Sequence, residues 1–397
     1  LREIIAWAAG EEQPLELIGN GSKRALGRPL QVEHTVELGA FAGIAEYEPA
    51  ELVLTAGAAT PLAAIEAALA EQSQMLAFEP PDWSALIGSS NGQTIGGVLA
   101  CNLAGPRRFK AGAARDHFLG FQAVSGRGEI FKAGGKVVKN VTGYDLSKLM
   151  AGSWGTLAAL TEVSVKVLPL PERTRTVLLL GLDEEGAVAA MTDALNAPHE
   201  VSGAAYVPAA LAARSAVSYV ADAGQSVTAL RLEGPGPSVE HRCAALRGEL
   251  AAYGPTEELH STNSLALWRE IGNASWFAAD AGDILWRLSL PPSAASALLR
   301  AVTERLALKY SLDWGGGLVW LAVTGNSDGG DGGAAIIRAA LAQSGGHATL
   351  IRAPQALRAA VPVFEPQEGA LGALAARVKD SFDPKRILNP GRMVRGL

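Results

Sequence analysis

The sequence predicts an α+β protein in two main parts, and three observations carry the two-part reading. Up to about residue 170, short alternating strands are separated by glycine-rich loops. Pro169-Leu170-Pro171 follows, and proline both halts a strand and stiffens a connection. Beyond it, strands and helices alternate at the spacing of a ferredoxin-like α+β domain. A chain of 397 residues is too long for one ordinary domain and suits two. No fixed-period repeat is apparent.

In chain order, residues 15–18 read as a strand running into a glycine loop, and 51–55 alternate as a half-buried strand does. Thr60 and Pro61 read as the N-cap and first residue of a helix whose apolar face is Leu62, Ile65, Ala68 and Leu69. Residues 88–97 are too rich in Gly, Ser and Asn for a regular element. Two strands, 118–124 and 129–132, flank the turn 125–128 as a hairpin. A short helix over 145–150 stops at Gly152, and a strand over 160–168 leads to the proline pair. Past the linker, strands are expected at 176–182, 226–233, 283–290, 318–324 and 348–352. Helices are expected at 184–195, 238–252, 294–308 and 334–341.

Composition narrows the function. With 34 Lys+Arg against 40 Asp+Glu the chain is mildly acidic, which argues against general nucleic-acid affinity. Cys101 and Cys243 form no CxxC pair, so neither a disulfide framework nor a thiolate metal site is expected. No apolar run reaches the roughly 18 residues needed to span a bilayer. The expected location is the cytoplasm, with peripheral membrane association only through a complex; the chain starts at Leu1, which leaves a processed leader open.

Two glycine segments are the candidate chemistry. Gly19-Asn20-Gly21-Ser22-Lys23 follows a strand, and closely spaced glycines let backbone N–H groups converge on an anion such as a pyrophosphate. A plain tight turn explains the segment equally well. It is no Rossmann fingerprint, because Arg24 stands where the third glycine belongs, and no Walker A loop. The second segment, Gly88 to Gly97 with Thr94, Ile95, Gly96 and Gly97, leads into Asn102 and Gly105 and an apolar stretch. After it stand Arg107, Arg108, Lys110, Arg115, Lys132, Lys136, Lys139 and Lys148, a local basic excess that reads either as an anion site or as a solvated face.

Taken in order, Thr94-Ile95-Gly96-Gly97, Asn102, Gly105, Arg115-Asp116, Gly143-Tyr144-Asp145-Leu146, Lys148-Leu149, Gly152-Ser153 and Gly155-Thr156-Leu157 resemble the FAD domain of the vanillyl-alcohol-oxidase (PCMH-type) flavoproteins. Phe382-Asp383-Pro384 and Leu388-Asn389-Pro390-Gly391-Arg392 are similar to that family's closing motif. D-lactate and D-2-hydroxyglutarate dehydrogenases and the glycolate oxidase D and E subunits belong to this group. The chain length and the stretch from Gly134 to Asp145 are most similar to the E-subunit branch. The resemblance implies an FAD-binding domain over 1–170, an α+β cap or substrate-side domain over 171–375, and a tail over 376–397 that packs back on the FAD domain. It implies that Gly19, Asn20, Gly21, Ser22 and Lys23 take the pyrophosphate. Thr94, Ile95, Gly96, Gly97 and Asn102 would run along the pyrophosphate and flavin. Gly155, Thr156 and Leu160 would lie at the adenine end, with Gly105 and Arg115 completing the set.

The same resemblance implies non-covalent FAD, since the pyrophosphate loop holds no His. It also implies a small 2-hydroxy acid such as glycolate as substrate, and a D-type flavoprotein and an iron–sulfur subunit as partners. The six histidines form no pair at metal-binding spacing, and the 325–333 loop lacks a closing glutamate, so no metal is expected. Tyr144, Lys139 and Asn140 are candidate flavin neighbours, and no residue is assigned as the catalytic base. Two other readings stay open: an accessory or scaffold subunit, and a stand-alone FAD-dependent alcohol or alditol oxidase.

Overall fold

A computed structural model of the chain describes residues 1–135, 144–325 and 330–397. The first part is organised by a five-stranded antiparallel sheet in the order Ile44–Glu48, Val53–Gly57, Ala158–Lys166, Phe118–Ser125, Ile130–Gly134. Two of its three inner strands, Val53–Gly57 and Ala158–Lys166, are almost wholly buried, because both sheet faces are covered. The edge strand Ile130–Gly134 alternates exposed and half-buried residues, as an edge should. It is reached through the turn in which the Gly128 N–H donates to the Ser125 carbonyl. A separate parallel pair, Leu15–Ile18 with His34–Glu37, lies apart from that sheet, and Leu388 of the tail bridges onto Leu15.

Two local expectations are corrected. Thr60 is not the helix N-cap: the helix runs Leu62–Glu71 with Pro61 before it, and the Thr60 hydroxyl instead donates to the carbonyl of Gly57 at 2.6 Å and accepts from the Gly43 N–H at 2.9 Å. A crossing loop offered that hydroxyl a better partner than the helix did. Residues 94–97 are not all loop either, since Ile95–Ala100 is a short helix whose Thr94 hydroxyl accepts the Gly97 N–H. The expected linker is also partly a strand: Leu168–Pro169 pairs with Gln74–Met75.

The second part is one eight-stranded antiparallel sheet, and its order reveals a duplication. Thr256–His260, Arg173–Leu180, Val227–Gly234 and Gly203–Val207 make one ferredoxin-like half in spatial order 4-1-3-2. Leu308–Asp313, Leu318–Val323, Ile284–Ser289 and His347–Arg352 make the second in the mirrored order 2-3-1-4. The second strand of each half joins the sheet at Tyr206 and Leu312. The repeat is one of topology, with no period in the sequence to announce it. Helices such as Glu184–Asn196, Gly236–Glu249, Ala295–Thr303 and Ala334–Ser344 cover one face, where Val177, Leu230, Trp286 and Leu321 form their own core. Trp268, Trp320 and Leu285 instead join the core of the first part.

Four alternating charges pin the two parts together. Arg231 donates to Glu79 at 2.8 and 2.9 Å, and Arg107 pairs with Glu79 at 2.9 Å and with Glu233 at 2.5 and 2.9 Å. Burial works against an ionised Glu233, yet Arg231 and Arg107 outweigh it and hold its carboxyl down at about 2. Nearby Asp313 is the opposite case. Burial pushes its carboxyl up to about 7, and among the described residues only the Trp314 N–H is hydrogen-bonded to it. A carboxyl whose folded pKa lies above its unfolded value binds its proton more tightly when folded, so stability should fall as pH rises from about 4 to about 7. Asp313→Asn is expected to flatten that slope in thermal melts across the window; an unchanged slope would exclude Asp313 as its source.

Candidate functional site

A cleft beside the glycine loops forms where three backbone segments come closer than side chains permit. A Cβ on Gly19 would stand 2.6 Å from the Thr94 hydroxyl oxygen, and one on Gly96 would stand 2.6 Å from the Ala58 carbonyl. Gly155, at φ +69°, turns where a Cβ would meet the Asn389 amide nitrogen at 2.7 Å. The cleft between these segments opens to solvent.

Its charge is directed. The backbone N–H groups of Asn20, Gly21, Ser22 and Lys23 donate to no group among the described residues. Arg24 and Arg392 are both balanced by Glu16, at 2.5 and 3.0 Å. Lys23 is not balanced: its ammonium donates to the Gln93 side chain at 2.7 Å and has no ion-pair partner among the described residues. Burial pushes the Lys23 ammonium down, against the opposing pull of Asp82. The Cys101 thiol, raised by burial to about 11, stays neutral beside it. Free amides, a tight glycine approach and an unpaired ammonium suit a bound pyrophosphate.

Of the residues expected from the sequence, Gly19, Asn20, Gly21, Ser22, Lys23, Thr94, Gly96, Gly97, Gly155 and Leu160 line this one cleft. Five others do not. Ile95 is fully buried in the core beneath it. The Asn102 side chain accepts the Arg115 N–H at 3.0 Å, so it holds a turn, while the Arg115 side chain lies near Asp116 at 3.9 Å. Gly105 accepts from the Trp314 indole at 3.0 Å, and the Thr156 carbonyl accepts from Lys379 at 2.6 Å. Tyr144 is 93% exposed, outside the cleft, whereas Gly143, Lys136, Lys139 and Asn140 lie outside the described residues. The basic cluster resolves into separate roles: Arg107 is buried in the charge network, and Lys110 and Lys148 make exposed pairs with Glu200 and Asp145.

The tail supplies what the glycine loops alone could not. The Asn389 side chain accepts from the Leu17 N–H at 2.8 Å and donates to the Trp154 carbonyl at 2.9 Å, joining opposite walls of the cleft. Arg392, 6% exposed, donates to the carbonyls of Arg24 and Leu26 at 3.1 Å and so fixes the end of the Gly19–Lys23 loop. Ala58, Ala59, Trp154 and Ala158 also line the cleft without any polar signature that a sequence reading could use. Among the described residues, no group of three or more His, Cys, Asp or Glu could hold a metal ion.

A sheet-based first part carrying this glycine cleft, a large antiparallel cap sheet and a tail that returns to the cleft define a class of flavoprotein oxidoreductase. A family profile described as FAD binding domain matches residues 1–134, and one described as FAD linked oxidases, C-terminal domain, matches residues 365–393. Glycolate oxidase subunit GlcE of Escherichia coli (strain K12) is 34% identical over 393 residues, 99% of this chain and 96% of that protein. Glycolate oxidase subunit GlcD of Bacillus subtilis (strain 168) is 41% identical over 120 residues, 30% of this chain and 25% of that one. In fold, the chain is similar to a 4-ethylphenol oxidase from Gulosibacter chungangensis, with TM-score 0.73 at 14% identity, covering 100% of this chain and 87% of that one. An alkyldihydroxyacetonephosphate synthase gives TM-score 0.69 at 15% identity, over 98% and 74%. The chain belongs to the PCMH-type FAD-linked oxidases, the family of GlcE, and its cofactor is FAD. No helix among the described residues is long and apolar enough to cross a membrane.

Proposed function

We propose that the chain is the E-type subunit of a glycolate-oxidising complex, holding FAD without a covalent bond and taking part in the oxidation of a small 2-hydroxy acid, glycolate to glyoxylate. The observation that carries the cofactor part is the convergence of Gly19–Lys23, Thr94–Gly97 and Gly155 on one cleft with an unpaired Lys23 ammonium. The 34% identity to GlcE along nearly the whole chain supports the substrate class. In this reading the amides of Asn20 to Lys23 bind and orient the pyrophosphate, Lys23 offsets its charge, and Asn389 and Arg392 keep the cleft walls at the right separation. Bound FAD would supply the acceptor for the two electrons that leave the hydroxy acid. A D-type flavoprotein and an iron–sulfur subunit are the proposed partners that carry those electrons on. The complex would be cytoplasmic, meeting the membrane only at its periphery.

The test is an absorbance spectrum of the purified chain, before and after anaerobic glycolate. Flavin absorbance near 450 nm that bleaches is the expected result. A flavin spectrum that stays unbleached would make the chain an accessory flavoprotein of the complex. No flavin, even after reconstitution with FAD, would remove the proposal.

A further inference from the structure

Arginines buried in this chain are, as a rule, fully used. Arg352 donates to the carbonyls of Leu86, Phe277, Asp280 and Asp283, and Arg231 to Glu79 and Ser202. The half-buried Arg287 is not. It stands on the strand Ile284–Ser289, in register with Trp320 on one side and Thr349 on the other. Its guanidinium lies 4.8 Å from the centre of the Trp314 ring and 5.8 Å from that of Trp83. The Nε atom is buried with no hydrogen-bond partner, and Arg287 makes no ion pair among the described residues. Burial, and then the positive charge of Arg108, push its guanidinium down to about 10.

Arg108 comes from the first part and stacks on the same Trp314 ring at 4.7 Å, again without an ion pair among the described residues. Trp314 is held in place by its indole N–H, which donates to the Gly105 carbonyl at the end of the second glycine segment. The acidic group beside this cluster, Asp313, is committed to the Trp314 N–H and buried. Stacking on an aromatic ring returns little per cation, and it leaves the buried Nε–H of Arg287 without an acceptor. An anion is the missing partner. A guanidinium prefers a planar carboxylate, which it can grip with two parallel hydrogen bonds. Arg108 is exposed, so the cluster can be reached from solvent on that side.

We infer that Arg287, with Arg108 adding its charge and Trp314 as the platform, is a seat for the carboxylate of a small organic acid where the two parts of the chain meet. The inference rests on the proposed 2-hydroxy acid chemistry and names the residue that anchors that substrate class. No metal ligand is needed for such recognition.

Calorimetric titration of the FAD-reconstituted chain with oxalate and glycolate tests it, with ethylene glycol as the ligand lacking a carboxylate. Saturable one-to-one binding of both acids and none of the diol is expected. Arg287→Met should weaken oxalate binding at least about tenfold, Arg287→Lys should recover part of it, and Arg108→Met should weaken it about threefold. Should Arg287→Met not fold, Arg108→Met on its exposed helix decides alone. Absence of saturable oxalate binding, or wild-type affinity in the folded variants, overturns the inference. A chain that takes up no FAD but binds oxalate through Arg287 would sink the proposed function and leave the carboxylate seat standing.

Discussion

Replacing Asp383 by alanine is expected to lower the stability of the folded chain by about 3–5 kcal/mol, seen as a drop in Tm of roughly 5–10 °C. Asp383 is 0% exposed, and its carboxylate accepts from Lys379 at 2.7 Å and from the N–H groups of Leu388 at 2.8 Å and Ile387 at 3.1 Å. Alanine would strip the counter-ion from a buried ammonium and leave two backbone donors without acceptors, and each orphaned donor carries its own desolvation cost. Lys379 would keep only the carbonyls of Thr156 and Leu388. Gly126 shows how closely the site is fitted, since a Cβ there would lie 2.3 Å from the Asp383 carboxylate. The pair is therefore the anchor that brings Leu388 to Arg392 back to the cleft. Lys379→Met removes the charge that Asp383 neutralises, so Asp383→Ala in that background should cost less than in the wild type. Urea or thermal melts of the two single variants and the double variant measure this, and a single-variant loss under about 1 kcal/mol would mean that the tail is held by packing alone.

The same residues mark the border of what was legible in the sequence. Gly19, Gly21, Gly96 and Gly97 stand out locally as clustered glycines that let backbone amides approach an anion, and the cleft was readable only to that extent, since a plain tight turn reads the same way at Gly19–Lys23. Asn389 and Arg392 stand some 370 residues from Leu17 and Arg24, which they hold, a distance over which no local rule acts. Resemblance could mark their motif but not the clamp. Arg107 read as one member of a basic cluster, an anion site or a solvated face, yet its partner Glu233 is 126 residues away. The paired ferredoxin-like halves were invisible for another reason. A strand buried on both faces, such as Leu318–Val323, demands only apolar residues, so two halves can share a topology without sharing a pattern. The strand Leu308–Asp313 was obscured because Leu308 continued the apolar run of the helix before it, and only Ala295–Thr303 is α-helical there. Thr60 failed as a cap because Gly43, 17 residues back, competes for its hydroxyl.

Valine at Gly19 is expected to weaken FAD binding by about 10–100-fold while the chain still folds. The new Cβ would lie 2.6 Å from the Thr94 hydroxyl oxygen and 3.2 Å from its methyl carbon. Thr94 cannot step aside cheaply, since it is 4% exposed, caps the helix Ile95–Ala100 and bridges to Pro61. The solvent-facing loop has to move instead, carrying the amides of Asn20 to Lys23 away from the position that faces the cleft. Overpacking of this kind costs about 1–3 kcal/mol, and when the bound geometry must absorb it the same free energy appears as a one- to two-decade loss of affinity. Gly10→Ala is the matched control, because no atom lies within 4 Å of a Cβ there. Titration of the apo-chain with FAD, followed by quenching of flavin fluorescence, separates the two variants from the wild type. Wild-type affinity in Gly19→Val would mean that the loop is an ordinary turn and that the pyrophosphate sits against another wall of the cleft.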